Sequence, residues 1–155
     1  MVNARDELLE KLNGRAMLCA EVHHYRECGG ATEIHQLKTG EEASAFLAKL
    51  DFEYDEGYGR QYIGGCVWIL ENENLTSLTR YEHDGAEFWV DNLCQPIPKR
   101  LVQSPWGLIQ YGGNTYLIND DGDVYPMASN NIKNFLNWDT IQGMLMTLHG
   151  MNMNS

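Results

Sequence analysis

Apolar residues recur along this chain with two periods, and the switches between them mark its elements. Leu8, Leu9 and Leu12 stripe the segment Ala4–Asn13 at the spacing of one helix face. Asn3 stands where it can cap that helix, Asp6 places a negative charge in the first turn, and Gly14 ends it. A second helix is predicted over Gly40–Leu50, where Ala43, Phe46, Leu47 and Leu50 fall at i, i+3, i+4 and i+7 and Thr39 and Glu42 have capping-box spacing. Near the C-terminus the helical period returns in two pieces. Ile132, Phe135 and Leu136 stripe the first; Asp139 can cap the second, where Ile141, Met144, Leu145 and Leu148 repeat before Gly150. Met151–Ser155 is expected to fray.

The strand signal lies between these helices. Ala16–Tyr25 begins apolar on both faces (Met17, Leu18, Cys19, Ala20, Val22), as a central strand does. Gly29-Gly30 turns the chain into a shorter strand, Thr32–Leu37. Three more follow at Gln61–Leu70, Ser77–His83 and Glu87–Asn92, the first two separated by Glu71-Asn72-Glu73-Asn74. The last two are joined at Asp84-Gly85, a strong hairpin signal. Pro96 and Pro98 close that block, and residues 99–104 connect it to a meander of Trp106–Tyr111, Thr115–Asn119 and Val124–Met127. Strands outnumber helices and the turns are tight. The expected class is therefore α+β: an antiparallel sheet of several short strands with helices near the N-terminus, middle and C-terminus. A chain of 155 residues suits one domain over 1–150, with 1–98 and 99–150 as candidate sub-lobes.

Composition narrows the class of function. Apolar residues make up 43% and charged ones 21%, which excludes a disordered chain. No apolar run approaches membrane-spanning length, and Met1–Asp6 leads into a charged helix without a signal core, so a cytoplasmic location is expected. Cys19, Cys28, Cys66 and Cys94 form no C-x-x-C pair and read as reduced thiols. The net charge is −11, and residues 41–92 hold 12 of the 22 acids but 3 of the 11 bases. The same stretch carries Phe52, Tyr54, Tyr58, Tyr62, Trp68, Tyr81, Phe88 and Trp89. Such a surface repels phosphate backbones and suits a basic protein, so neither nucleic acid nor membrane is an expected partner.

The motifs name no reaction. Cys19, His23, His24 and Cys28 have the residue types of a zinc site, but on a strand Cys19 and His23 share one face while His24 and Cys28 take the other. Asp120-Asp121-Gly122-Asp123 fails the calcium-loop register, since Leu117 would stand at the first ligand position; it reads as a polar hairpin turn. Gly57-Tyr58-Gly59 precedes a strand instead of opening a helix, unlike a dinucleotide loop. No cofactor or metal is expected. The candidate partner-binding residues are Asp51, Glu53, Asp55, Glu56 and Tyr58 in one segment and Glu82, Asp84, Glu87, Phe88 and Trp89 in the other. Phe88 and Trp89 are adjacent on a strand, so one of them faces outward. An acidic aromatic face of this composition is that of an interface, or else one that packs under a neighbouring helix or the C-terminal lobe.

Three segments carry a resemblance: Leu50-Asp51-Phe52-Glu53-Tyr54-Asp55-Glu56-Gly57-Tyr58-Gly59, Arg80–Trp89, and Pro96-Ile97-Pro98. Together they resemble small acidic bacteriophage proteins with an L-D-F-x-Y-D-x-G-Y-G segment, a Y-D-G-x-E-W-W-like segment and a closing P-x-I-P. Here His83 interrupts the second segment and Phe88 replaces its first tryptophan. The resemblance spans residues 47–98 and brings no catalytic residues with it. It implies a phage-encoded acidic protein that binds and inhibits or redirects a basic host protein, a counter-defence or host-takeover factor and not an enzyme. The alternative is a small metal-assisted hydrolase of a nucleotide or phosphodiester using the carboxylates of residues 51–56.

Overall fold

The computed structural model describes residues 1–26, 31–55, 60–71, 74–92, 95–103, 107–111, 114–119 and 121–126. In chain order the elements are β1 (Val2–Asn3), α1 (Ala4–Leu12), β2 (Met17–His24), β3 (Glu33–Leu37), α2 (Ala43–Lys49), β4 (Glu53–Tyr54), β5 (Ile63–Glu71), β6 (Asn74–His83), β7 (Ala86–Asn92), a 3-10 turn (Lys99–Leu101), β8 (Leu108–Tyr111), β9 (Asn114–Ile118) and β10 (Val124–Pro126). They form an antiparallel five-stranded sheet in the order β3-β2-β5-β6-β7, a three-stranded sheet β10-β9-β8, and a ribbon β1-β4. Among the described residues the architecture is thus mostly antiparallel sheet with two short helices. No helix among the described residues is long and apolar enough to cross a membrane. The C-terminal helices expected from Ile132 onward lie outside the described residues.

The pair β2–β5 is central because both of its faces are apolar. One face sends Ala20, Val22, Val67 and Ile69 against Leu8, Leu12, Phe46 and Leu50 of the helical side. The other sends Cys19, Trp68 and Leu70 against Leu101, Ile109, Tyr116 and Ile118. Each fully buried aliphatic side chain contributes about 1.5–3 kcal/mol. A bulge at Leu18, where Met17 faces Ile69 and Cys19 faces Trp68, turns both Leu18 and Cys19 toward the second cluster. Gly65 has φ +115°, and a Cβ there would lie 2.0 Å from the Glu21 carbonyl oxygen, so this close strand pair needs glycine.

Where sequence and structure differ, long-range hydrogen bonds decide. Asn3 caps α1 as expected, its Oδ1 accepting from Asp6 N at 3.1 Å. The two preceding N–H groups, of Ala4 and Arg5, donate to the carbonyls of Phe52 and Leu50, each at 2.9 Å. The exit of α2 therefore satisfies the start of α1, and the ribbon β1–β4 pairs Val2 with Tyr54 and Asn3 with Glu53, strands that periodicity did not predict. The capping box of α2 does not form: Glu42 is its cap residue and makes no side-chain cap bond. Thr39 is instead drawn inward, its N–H donating to Leu101 O at 2.8 Å and its hydroxyl accepting from Gln103 N at 3.1 Å. The hairpin β5–β6 is longer than predicted, pairing out to Glu71 and Asn74.

Candidate functional site

The expected binding segments sit on the hairpin β6–β7 and on the short ribbon beside it. Asp84 at φ 51° and Gly85 at φ 86° make the mirror-image turn that two-residue hairpins require. That turn sets the register His83↔Ala86, Tyr81↔Phe88 and Arg80↔Trp89. Tyr81, His83 and Phe88 therefore share one face of the sheet, while Arg80, Glu82, Glu87 and Trp89 share the other.

Arg80, Glu87 and Trp89 of the second set build a buried polar node. The side chains of Arg80 and Glu87 are 0% exposed, joined at 2.9 Å from Arg80 Nη2 to Glu87 Oε1. Arg80 Nη1 also donates to Glu7 Oε1 of α1 at 2.8 Å. The Tyr54 hydroxyl donates to Glu7 at 2.5 Å and accepts from Arg80 Nη2. Glu87 further accepts from the backbone N–H groups of Tyr62 at 2.6 Å and Ile63 at 3.0 Å. The guanidinium lies 5.3 Å from the Trp89 ring centre and 5.4 Å from that of Tyr54, where cation–π attraction adds to the ion pairs. Burial, with Glu7 accepting from the hydroxyl, raises the Tyr54 pKa well above its ordinary value, so the phenol stays protonated. The segments 50–59 and 80–89 meet here, through Tyr54 on one and Arg80, Glu87 and Trp89 on the other.

Outside the node the hairpin presents rings. Tyr81 is 51% and Phe88 43% exposed, with centroids 5.6 Å apart, and His83 stacks beyond Tyr81 at 6.5 Å. Glu82 and Asp84 are exposed at the tip, Glu82 accepting from Gly85 N at 2.7 Å and Asp84 lying 3.4 Å from His83 Nε2.

This arrangement corrects part of the sequence reading. Glu87 and Trp89 were candidates for contact with a partner; both are interior, and the outward residue of the Phe88–Trp89 pair is Phe88. The two segments are joined from within, by Tyr54 and Arg80, instead of by a single field of carboxylates. Asp51 is exposed beside α1, accepting from Asn3 Nδ2 at 2.8 Å and lying 3.4 Å from Arg5 Nη1. Glu53 is exposed on the ribbon, and Asp55 is half-buried. Glu56 and Tyr58 lie outside the described residues. Arg80, Tyr81 and His83 were missed, although Asp84-Gly85 already implied that Tyr81 pairs with Phe88 and shares a face with His83.

Alternation along β2 separates Cys19 from His24. Cys19 points into the second apolar cluster, where burial raises its pKa far above that of a free thiol. His24 stacks on Phe52 at 3.9 Å, and Cys28 lies outside the described residues. Among the described residues no group of three or more His, Cys, Asp or Glu side chains is placed to hold a metal ion. The expected polar turn closes β9–β10: Asn119 Oδ1 accepts from Asp121 N at 3.0 Å and Asp123 N at 2.9 Å. No protein-family model, curated protein or solved structure matches this chain.

Proposed function

We propose that this chain is an acidic binding protein whose contact surface is the outer face of the hairpin β6–β7. One observation carries the reading: Tyr81 and Phe88 stand exposed side by side, while the opposite face of the same two strands is locked by the buried Arg80–Glu87 pair. A rigid strand pair presents its rings with little entropy left to lose, the property of interface anchors. Glu82 and Asp84 beside the rings favour a basic protein over nucleic acid, and attraction from the wider acidic surface accelerates encounter. In the light of the phage-protein resemblance, the partner is a basic host protein in the cytoplasm, inhibited or redirected by being bound.

The test compares the parent with Y81A/F88A in capture from a bacterial lysate. Both changes are on the surface, so the variant should melt within about 2 °C of the parent. The parent should retain a stoichiometric basic protein that the variant loses and that elutes as salt is raised. Equal retention of the same proteins by a folded variant would place the interface elsewhere.

A further inference from the structure

The five-stranded sheet has two edges, and they differ. At one, β3 is five residues long and packs beside α2. At the other, β7 pairs with β6 over seven consecutive residues, with neither a bulge nor a proline, the devices that usually blunt an edge. The turn at Asp84-Gly85 makes His83–Ala86 a hydrogen-bonded pair, so Tyr81–Phe88 and Thr79–Val90 bond likewise. The backbone N–H and C=O groups of Glu87, Trp89 and Asp91 consequently point away from β6, and among the described residues no strand pairs with them.

A groove of about 410 Å³ lies there, lined by Glu7, Glu10, Lys11 and Asn13 of the α1 segment and by Phe88 and Trp89. Phe88 and Trp89 face opposite sides of the sheet, so a single groove touching both lies at the strand's outer edge. Trp89 Nε1 is buried and has no hydrogen-bond partner among the described residues. Glu10 supplies the groove's exposed charge: Glu7 is held by Arg80 at 2.8 Å, and Lys11 is occupied by Asp91 at 3.3 Å.

We infer that β7 accepts an extended segment of the basic partner as a sixth strand of the sheet. This rests on the binding reading above and specifies its mode, β-strand addition. Alternation dictates the chemistry of that segment. Side chains on the helical side enter the groove toward Glu10 and are basic; those between them lie beside Phe88 and are apolar. A second copy of this chain is the poorer occupant, since each carries a net charge of −11.

The probe is an eight-residue peptide alternating lysine and valine, with a second version N-methylated on the amides that would face β7. The first should bind saturably and slow hydrogen exchange at the Glu87, Trp89 and Asp91 amides at least tenfold. The methylated version keeps the charge, loses the main-chain bonds and should bind at least tenfold more weakly. Asp91→Pro removes an outward donor at a position where an edge strand tolerates proline. It should bind the first peptide at least tenfold more weakly than D91A, which controls for the lost carboxylate. Equal binding of the two peptides, no saturable binding up to millimolar concentration, or amides already protected in the free protein would overturn the inference. So would a dimer in sedimentation that D91P dissolves, which would assign the edge to a second copy. If D91P stays folded and keeps the lysate partner that Y81A/F88A loses, strand addition fails while the hairpin reading stands.

Discussion

Two arginine–glutamate pairs fasten the main sheet to its two covers, and they differ in how far water reaches them. Arg80 with Glu87 and Glu7 ties the sheet to α1, with no exposure of the Arg80 or Glu87 side chains. Arg100, from the 3-10 turn, grips Glu21 of β2 through two bonds of 2.6 and 2.8 Å, but its side chain is 59% exposed while that of Glu21 is 10%. Glu21 is also held by Gln36 at 2.9 Å and His23 at 3.0 Å. The chemistry is the same on both sides of the sheet. Burial makes the first pair a requirement of the fold and leaves the second a modest clasp, because an orphaned charge is costly only where water cannot replace its partner.

The largest effect should come from Arg80→Met. It leaves Glu87 charged and buried without its cation, and the expected loss is about 3–5 kcal/mol, seen as a drop on the order of 10 °C in melting temperature. Glu87→Gln is milder. It keeps one acceptor oxygen, enough for the Tyr62 or the Ile63 N–H but not both, while Glu7 still pairs with Arg80, so about 1.5–3 kcal/mol should be lost in chemical denaturation. An E87Q variant as damaged as R80M would show that Glu7 contributes nothing to the node.

On the other side, the Arg100 bonds outweigh the cost of partial burial and hold the Glu21 pKa down to about 2, from an ordinary 4.5. A carboxylate whose folded pKa is lowered stabilises the fold fully above its unfolded pKa. That contribution is lost as pH falls from about 4.5 through about 2. With Arg100 largely in solvent, the clasp should contribute about 1 kcal/mol. Denaturation of Arg100→Met across this window should show both the lower stability at neutral pH and a shallower acid slope. An unchanged slope would assign the acid sensitivity to other carboxylates. Phe88→Ala should change least, within about 0.5 kcal/mol, although it lies next to Trp89 in sequence. A large loss from F88A would mean that the outer ring is packed and not presented.

The elements were legible from periodicity: α1 with its Asn3 cap, the apolar face of α2, the central β2 and the Asp84-Gly85 hairpin. The site was legible in part. The hairpin turn specified that Tyr81 opposes Phe88, and alternation required that one of Phe88 and Trp89 face out, but nothing local said which. That choice follows from α1 and the ribbon covering the Trp89 side. The Thr39–Glu42 spacing misled for a related reason: a capping box competes with tertiary partners, and Leu101 and Gln103 offered Thr39 bonds in the interior.

By itself the sequence determined the longer strands, the first two helices and the register of β6 on β7, because those depend on neighbours within a turn or a hairpin. Tertiary structure alone decided that Glu7, Tyr54, Arg80 and Glu87 converge, that residues 53–54 pair with residues 2–3, and that β7 is the last strand of its sheet among the described residues. Arg80 and Glu7 are 73 positions apart. Their meeting is set by how the sheet orders its strands and where α1 lies across it, and no local period carries that information.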